Sequence, residues 1–451
     1  MNHSRRHLLQ GISASATLAS LSRFGISEAF AQSATDYKAL VCVFMFGGND
    51  GNNLIIPADT AGYAAYNAVR PVSSGINIGQ SELLQFQPRS GTRVFGYHPS
   101  MKRLQPLTQS GKVAVLANVG PLNAPMSKAD FQANKNRPYQ LFSHSDQQQQ
   151  WQNADSEEIS RIGWGGRLAD AISPMNGAAQ MPVITSIAGS VTFGQGNQTT
   201  MLTVPSSGTF GLSGITGTDA VTTARRDALF ALLDEGRDHT LVAETALGLK
   251  TAHALSGIVN PIVTTANTTV DALFDTNNNG LATQLQRVAR LIAKRGDLGV
   301  KRQIFFVSIG GFDTHANQAN TQTNLLSQVD AAVASFYEST LALGVANQVT
   351  TFTMSDFGRT FKPAAGGGSD HAWGNHHLVV GGAVNGNALY GSFPSLVLNG
   401  NDDVGEGRWL PSTSVDQYAA TLASWFGVAS ADLPRVAPNI NAFATKNLGF
   451  V

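Results

Sequence analysis

Residues 353–377 read TMSDFGRTFKPAAGGGSDHAWGNHH, and the fold follows from how the chain enters and leaves this stretch. Before it, residues 349–354 are β-branched and apolar, the composition of a buried strand. After it, residues 378–384 read as a second buried strand. Asp356 then stands where a strand ends, the position from which α/β sheets project ligands into a crevice. Asp356, Asp370, His371, His376 and His377 share one glycine-punctuated segment, a set that suits a metal or active-site loop. The plainer alternative is a turn with polar decoration.

Two other stretches repeat the pattern. Residues 40–46, LVCVFMF, form a continuous apolar run and end at GGNDGNN (47–53); residues 303–309, QIFFVSI, end at GGFDTH (310–315). Runs of this kind are typical of strands buried on both faces of a parallel sheet. Each delivers a carboxylate just past its end, Asp50 and Asp313. His315 stands two positions after Asp313, so in extended backbone the two side chains share a side and can reach one cation. Residues 112–119, KVAVLANV, supply a further strand. Apolar stripes at helical spacing, such as Leu325, Leu326, Val329, Val333 and Phe336, and the run 415–426, predict helices packed on the sheet. The expected architecture is therefore α/β, a mostly parallel central sheet flanked by helices, with an inserted cap at about 173–279.

Composition narrows the function. Among 451 residues, 30 basic and 30 acidic side chains cancel without forming a run of one sign, which argues against a nucleic-acid partner. The only cysteine, Cys42, lies in an apolar run, so no intramolecular disulfide is available. At the start, SRRHLL (4–9), an Ala- and Ser-rich stretch and Ala29-Phe30-Ala31 resemble a twin-arginine export signal over residues 1–31. The expected destination is the periplasm or the exterior, reached through the twin-arginine machinery, and no later stretch is long and apolar enough to span a bilayer.

LFSHSDQQQQW (141–151) holds a further candidate. Ser143 or Ser145 is placed to cap the helix that follows. The same position, facing the N–H groups of a helix start, would also suit a nucleophile attacking an anionic ester.

Together, FMFGGNDGNN (44–53), VSIGGFDTHANQ (307–318), MSDFGRT (354–360), GGGSDHAWGNHHLVVGGAV (366–384) and LFSHSDQQQQW resemble the bacterial exported family called domain of unknown function 1501, across essentially the whole mature chain. That family is similar to the alkaline phosphatase and sulfatase superfamily. The resemblance implies an alkaline-phosphatase-like fold and one or two divalent ions, zinc or manganese by preference and calcium or magnesium otherwise. It implies Asp50, Asp313, His315, Asp356 and His371 as ligands and Ser143 as the matching nucleophile. Arg359 and Asn49 would orient the anionic oxygens of the substrate; His144, Asp370, His376 and His377 stand as supporting or alternative groups. Phe357 departs from the pattern, because alkaline phosphatases follow this aspartate with a histidine. The Cys/Ser-x-Pro-x-Arg pattern from which sulfatases make formylglycine is absent. The implied function is an exported metal-dependent hydrolase of phosphate or related esters, sulfate included, carried by small molecules or glycans. The alternative is a non-catalytic exported binding protein with a structural or vestigial metal site.

Overall fold

In the computed structural model, which describes residues 36–177, 179, 181–235 and 239–451, the run KALVCVFM forms strand β1 (Lys38–Met45). Every residue of it but the first is buried, as a strand covered on both faces requires. The remaining strands are β2 (Ile55–Pro57), β3 (Leu84–Phe86), β4 (Phe95–Tyr97), β5 (Val113–Gly120), β6 (Ile184–Ser186), β7 (Leu202–Thr203), β8 (Arg302–Ile309), β9 (Val349–Ser355), β10 (Asn375–Gly381), β11 (Ala388–Tyr390) and β12 (Thr413–Ser414). The export signal expected over residues 1–31 lies outside the described residues.

Among the described residues, nine strands make one sheet in the order β11-β5-β10-β9-β1-β8-β6-β7, with β12 also on β5; β2, β4 and β3 make a small second sheet. β1 is parallel to β8 and β9, and β8 is parallel to β6. β10 is antiparallel to both β5 and β9, so it alone runs against the rest of the main sheet. The expected α/β class, a mostly parallel sheet flanked by helices, is what the chain forms. β6 and β7 fall inside the span expected as a cap, 173–279, and extend the main sheet; the helices Ala220–Leu232 and Thr240–Thr264 follow them.

Register decides where the functional groups emerge. Met45 pairs with Ile309 on one side and Ser355 on the other, so β8, β1 and β9 end level. Asp50, Asp313 and Asp356 all follow those ends on one edge. β10, running the other way, brings its first residue, Asn375, to the same edge. The turn after β1 needs Gly47, whose φ is +110° and where an added Cβ would stand 2.4 Å from the backbone nitrogen of Asp313.

Alternate residues of β1 enter the two halves of the core. Val41, Val43 and Met45 face the helices Gln318–Ala342 and Gly280–Ala293, while Leu40, Cys42 and Phe44 face Trp164–Ile172 and Val415–Phe426. Cys42 is a buried free thiol, pushed by burial well above its ordinary pKa. β10 starts three residues earlier than the apolar pattern alone predicts. Asn375, His376 and His377 are buried strand residues with internal partners: Asn375 donates to the carbonyls of Asn49 and Phe357, and His376 Nδ1 accepts the Asn118 N–H. Among the described residues, no helix is long and apolar enough to cross a membrane.

Candidate metal centre

Three segments meet above the level strand ends. The β8 exit gives Asp313 and His315. The loop between β9 and β10 folds back on itself, pairing Arg359 with His371, and brings Asp370 and His371 over them. The helix His144–Asn153 gives its first residue, His144. Close passage of the loop depends on Gly368, where a Cβ would lie 2.1 Å from the backbone of His315.

The three imidazoles share one arrangement. His144 Nδ1 lies 2.7 Å from Asp356 Oδ2, His315 Nδ1 lies 2.9 Å from Asp370 Oδ1, and His371 Nδ1 lies 2.8 Å from the carbonyl oxygen of Phe142. Each partner is an acceptor, which assigns the N–H of each neutral ring to Nδ1 and leaves a lone pair on Nε2. The three Nε2 atoms converge on Asp313 Oδ1, at 3.4 Å from His144, 3.1 Å from His315 and 3.5 Å from His371. The Nε2 atoms of His315 and His371 are 2.9 Å apart. Two lone pairs at that distance repel unless a proton or a cation lies between them. His144 Nε2 is buried and makes no hydrogen bond, although Asp313 is near.

Metal-binding histidines characteristically hold their outer nitrogen on a carboxylate or backbone carbonyl. All three rings here do so. One atom each from His144, Asp313 and His371 lies within 4.8 Å of the others, close enough to hold an ion, and His315 faces the same point.

Arg359 sets the electrostatics. It is fully buried and donates to the carbonyls of Gly47, Gly48, Phe312 and Ser369, and its Nη2 lies 2.5 Å from Asp313 Oδ1. Burial works against ionisation of Asp313, but the hydrogen bond and charge of Arg359, with His144 and His315, hold its pKa down at about 2. The hydrogen bond to Asp356 raises the pKa of His144 against its burial, whereas burial lowers that of His371. Phe357 is fully buried under the rings, its centroid 4.8 Å from those of both His144 and His371.

Of the five residues expected as ligands, Asp313, His315 and His371 meet at this point. Asp356 stands one step back: its Oδ2 accepts from His144 and from Gln148 Nε2 at 2.8 Å, while its Oδ1 is buried without a partner. Asp50 is turned away. Its carboxylate accepts from Arg70 Nη1 at 2.6 Å, Arg70 Nη2 at 3.2 Å, Gln318 Nε2 at 2.6 Å, and both the backbone and side-chain nitrogens of Asn52 at 3.1 Å.

The supporting candidates also separate. Asp370 holds His315, and His144, expected in a supporting role, points Nε2 into the group itself. Asn49 is buried, donating its backbone N–H to Ser355 Oγ at 2.9 Å, and its Nδ2 is unpaired. Arg359 is spent on the clamp just described. Ser143 precedes the His144–Asn153 helix but caps no N–H; its Oγ donates to Asp146 Oδ2 at 2.5 Å and meets Ser145 Oγ at 3.1 Å. His376 and His377 are in β10, where burial lowers both pKa values to about 3. Arg70 and Gln148 are two further residues of the network, on Asp50 and Asp356 respectively. Gln148 is signalled by its place one helical turn after His144; Arg70 sits in a stretch without periodic pattern and has no such signal.

The fold and site define an α/β protein with a mostly parallel sheet and a His/Asp group at the carboxyl edge of its strands. Within that class, the chain belongs to the family described as "Protein of unknown function (DUF1501)", whose pattern it matches over residues 37–417. Among solved structures it is similar to Ps i-CgsB in complex with k-i-k-neocarrahexaose, at 12% identity and a TM-score of 0.32, over 92% of this chain and 77% of that one. It is also similar to the PsFucS1 sulfatase from Pseudoalteromonas sp., at 10% identity and a TM-score of 0.36, over 92% of this chain and 72% of that one. No curated protein matches it.

Proposed function

We propose that the protein is an exported metal-dependent hydrolase of phosphate or sulfate esters, alkaline-phosphatase-like, in which His144, Asp313, His315 and His371 hold a divalent cation, zinc or manganese by preference. The observation that carries this reading is the convergence of three imidazole Nε2 atoms on Asp313 Oδ1, each ring fixed through its Nδ1. A divalent ion there would supply Lewis acidity to an ester oxygen and to an attacking water. The residues of the chain do the rest. Arg359 keeps Asp313 ionised, Asp356 and Asp370 fix the tautomers of His144 and His315, and Phe357 closes the floor beneath the rings. Ser143, with Asp146 to take its proton, is the protein nucleophile to weigh against water. Export by the twin-arginine pathway is supported by residues 4–9 and 29–31. The open position of the group, with the Asp313 side chain 48% exposed, suits an ester carried on a small molecule or a glycan.

The test is a panel of phosphate and sulfate esters offered to full-length protein loaded with zinc or manganese. Hydrolysis should fall by at least about a hundredfold in Asp313→Ala, with circular dichroism unchanged. In Ser143→Ala, retained activity assigns attack to water and lost activity assigns it to the serine. If no ester is cleaved by any metal-loaded form while the ion raises the melting temperature, the hydrolase reading falls. A binding protein with a structural ion then takes its place.

A further inference from the structure

Building on the proposed metal centre, we infer that it takes one divalent cation and not two, because Arg70 occupies as a fixed positive charge the place at Asp50 where a second ion would have to bind. Asp50, Asp313 and Asp356 follow three adjacent strand ends, so a two-ion site is the geometry the topology invites. Asp50 is nevertheless closed to it. Its two oxygens already accept five hydrogen bonds, more than the roughly four lone-pair sites a carboxylate offers.

Arg70 cannot give way. It is 0% exposed, and besides Asp50 it donates to Asn53 Oδ1 at 2.6 Å and to the carbonyls of Phe361 and Thr360 at 2.9 Å. Swinging it out would strand those acceptors and leave a buried carboxylate without a counter-charge.

Charge at the centre gives the same count independently. Around the converging imidazoles stand the carboxylates of Asp313, Asp356 and Asp370; Arg359 is paired with Asp313, and Arg408, which donates to the His371 carbonyl, is already paired with Glu406 and drops out of the count. Three negative charges against one positive leave two to be balanced, which a single divalent ion does. A second ion would have to bind at a site already neutral and would leave it with two uncompensated positive charges. Asp50 and Arg70 neutralise each other and add nothing to this balance.

The experiment is metal stoichiometry, measured by elemental analysis and by calorimetric titration of full-length protein with zinc alone and with manganese alone. Wild type should saturate at one ion per chain. Asp50→Asn should keep that ion with its Kd changed less than about tenfold, below what loss of even an outer partner of a ligand costs. Should Asp50→Asn misfold, the double variant Asp50→Asn/Arg70→Gln removes both buried charges together, and the wild-type count decides by itself in any case. Two ions per chain, or loss of the ion from folded Asp50→Asn, overturns the inference and leaves the hydrolase reading standing. One ion with no ester cleaved does the reverse. No bound ion overturns both.

Discussion

His144 Nδ1 and Asp356 Oδ2 lie 2.7 Å apart, joining the first residue of a helix to a strand end 212 positions later in the chain. The carboxylate is fully buried, so the bond forms in a medium that strengthens it. Asp356→Asn keeps an oxygen for the ring to donate to and removes the charge. Metal affinity is expected to fall by roughly tenfold to a hundredfold, the usual cost of losing a ligand's outer partner. The fold should survive, because the orphaned Oδ1 of Asp356 already makes no bond. Calorimetric titration with zinc checks the affinity; equal affinities in the two proteins would remove Asp356 from the centre.

Arg359 holds the glycine turn after β1, the β8 exit and the returning loop in one place. Arg359→Met strips the donors from four backbone carbonyls and frees Asp313 from its clamp. The expected loss is on the order of 3 kcal/mol, mostly from the stranded carbonyls, since the ion pair to half-exposed Asp313 is screened by solvent. Urea denaturation measures it. A loss below about 1 kcal/mol would mean that water replaces the guanidinium without cost.

Strand identities were legible because β1, β5, β8 and β9 are runs rich in apolar and β-branched residues, and the carboxylates just past β1, β8 and β9 could be read as a group. What the sequence could not show is whether such a carboxylate meets a cation or a guanidinium. For Asp50 that depends on Arg70, 20 residues away in an unpatterned stretch. Polar residues hid the start of β10, since Asn375 and His376 are tolerated inside only through partners that tertiary structure brings. His144 was undervalued for a related reason: its neighbours in sequence, Ser143 and Asp146, read as helix-start chemistry, and its true partners come from the β8 and β9 exits.

His376 and His377 should govern stability in mild acid. Burial lowers both pKa values to about 3, below the ordinary 6.5 they regain on unfolding. Between these values the unfolded chain holds protons that the folded one does not. Stability is therefore complete above about pH 6.5 and falls as pH drops toward 3, by about 1.4 kcal/mol per pH unit for each histidine. His377→Phe removes one of the two, along with an Nε2 that has no partner. Overpacking would displace the whole curve without changing its slope. Urea midpoints between pH 6 and 4 should show the shallower slope; parallel curves would mean that His377 titrates normally.

Asp416 should act in the opposite direction. A carboxylate in the first helical turn is ordinarily favoured by the helix dipole. Here burial overrides the dipole and the hydrogen bonds from the Asn439 N–H and Ser414, raising the pKa from 3.8 to about 7. The unfolded chain ionises above pH 3.8 while the folded one keeps its proton, so this group subtracts stability as pH rises to about 7 and nothing further beyond it. It opposes the histidine pair over most of the same window, and one carboxyl cancels about one of the two imidazole slopes. Asp416→Asn keeps an acceptor for Asn439 and cannot ionise. The variant should gain stability relative to wild type steadily from pH 4 to 7, by about 1.4 kcal/mol per unit at most, tilting the profile in the sense opposite to His377→Phe. A constant difference across that range would show that Asp416 is already ionised in the folded protein, with Arg167 or the helix start supplying more compensation than its burial removes.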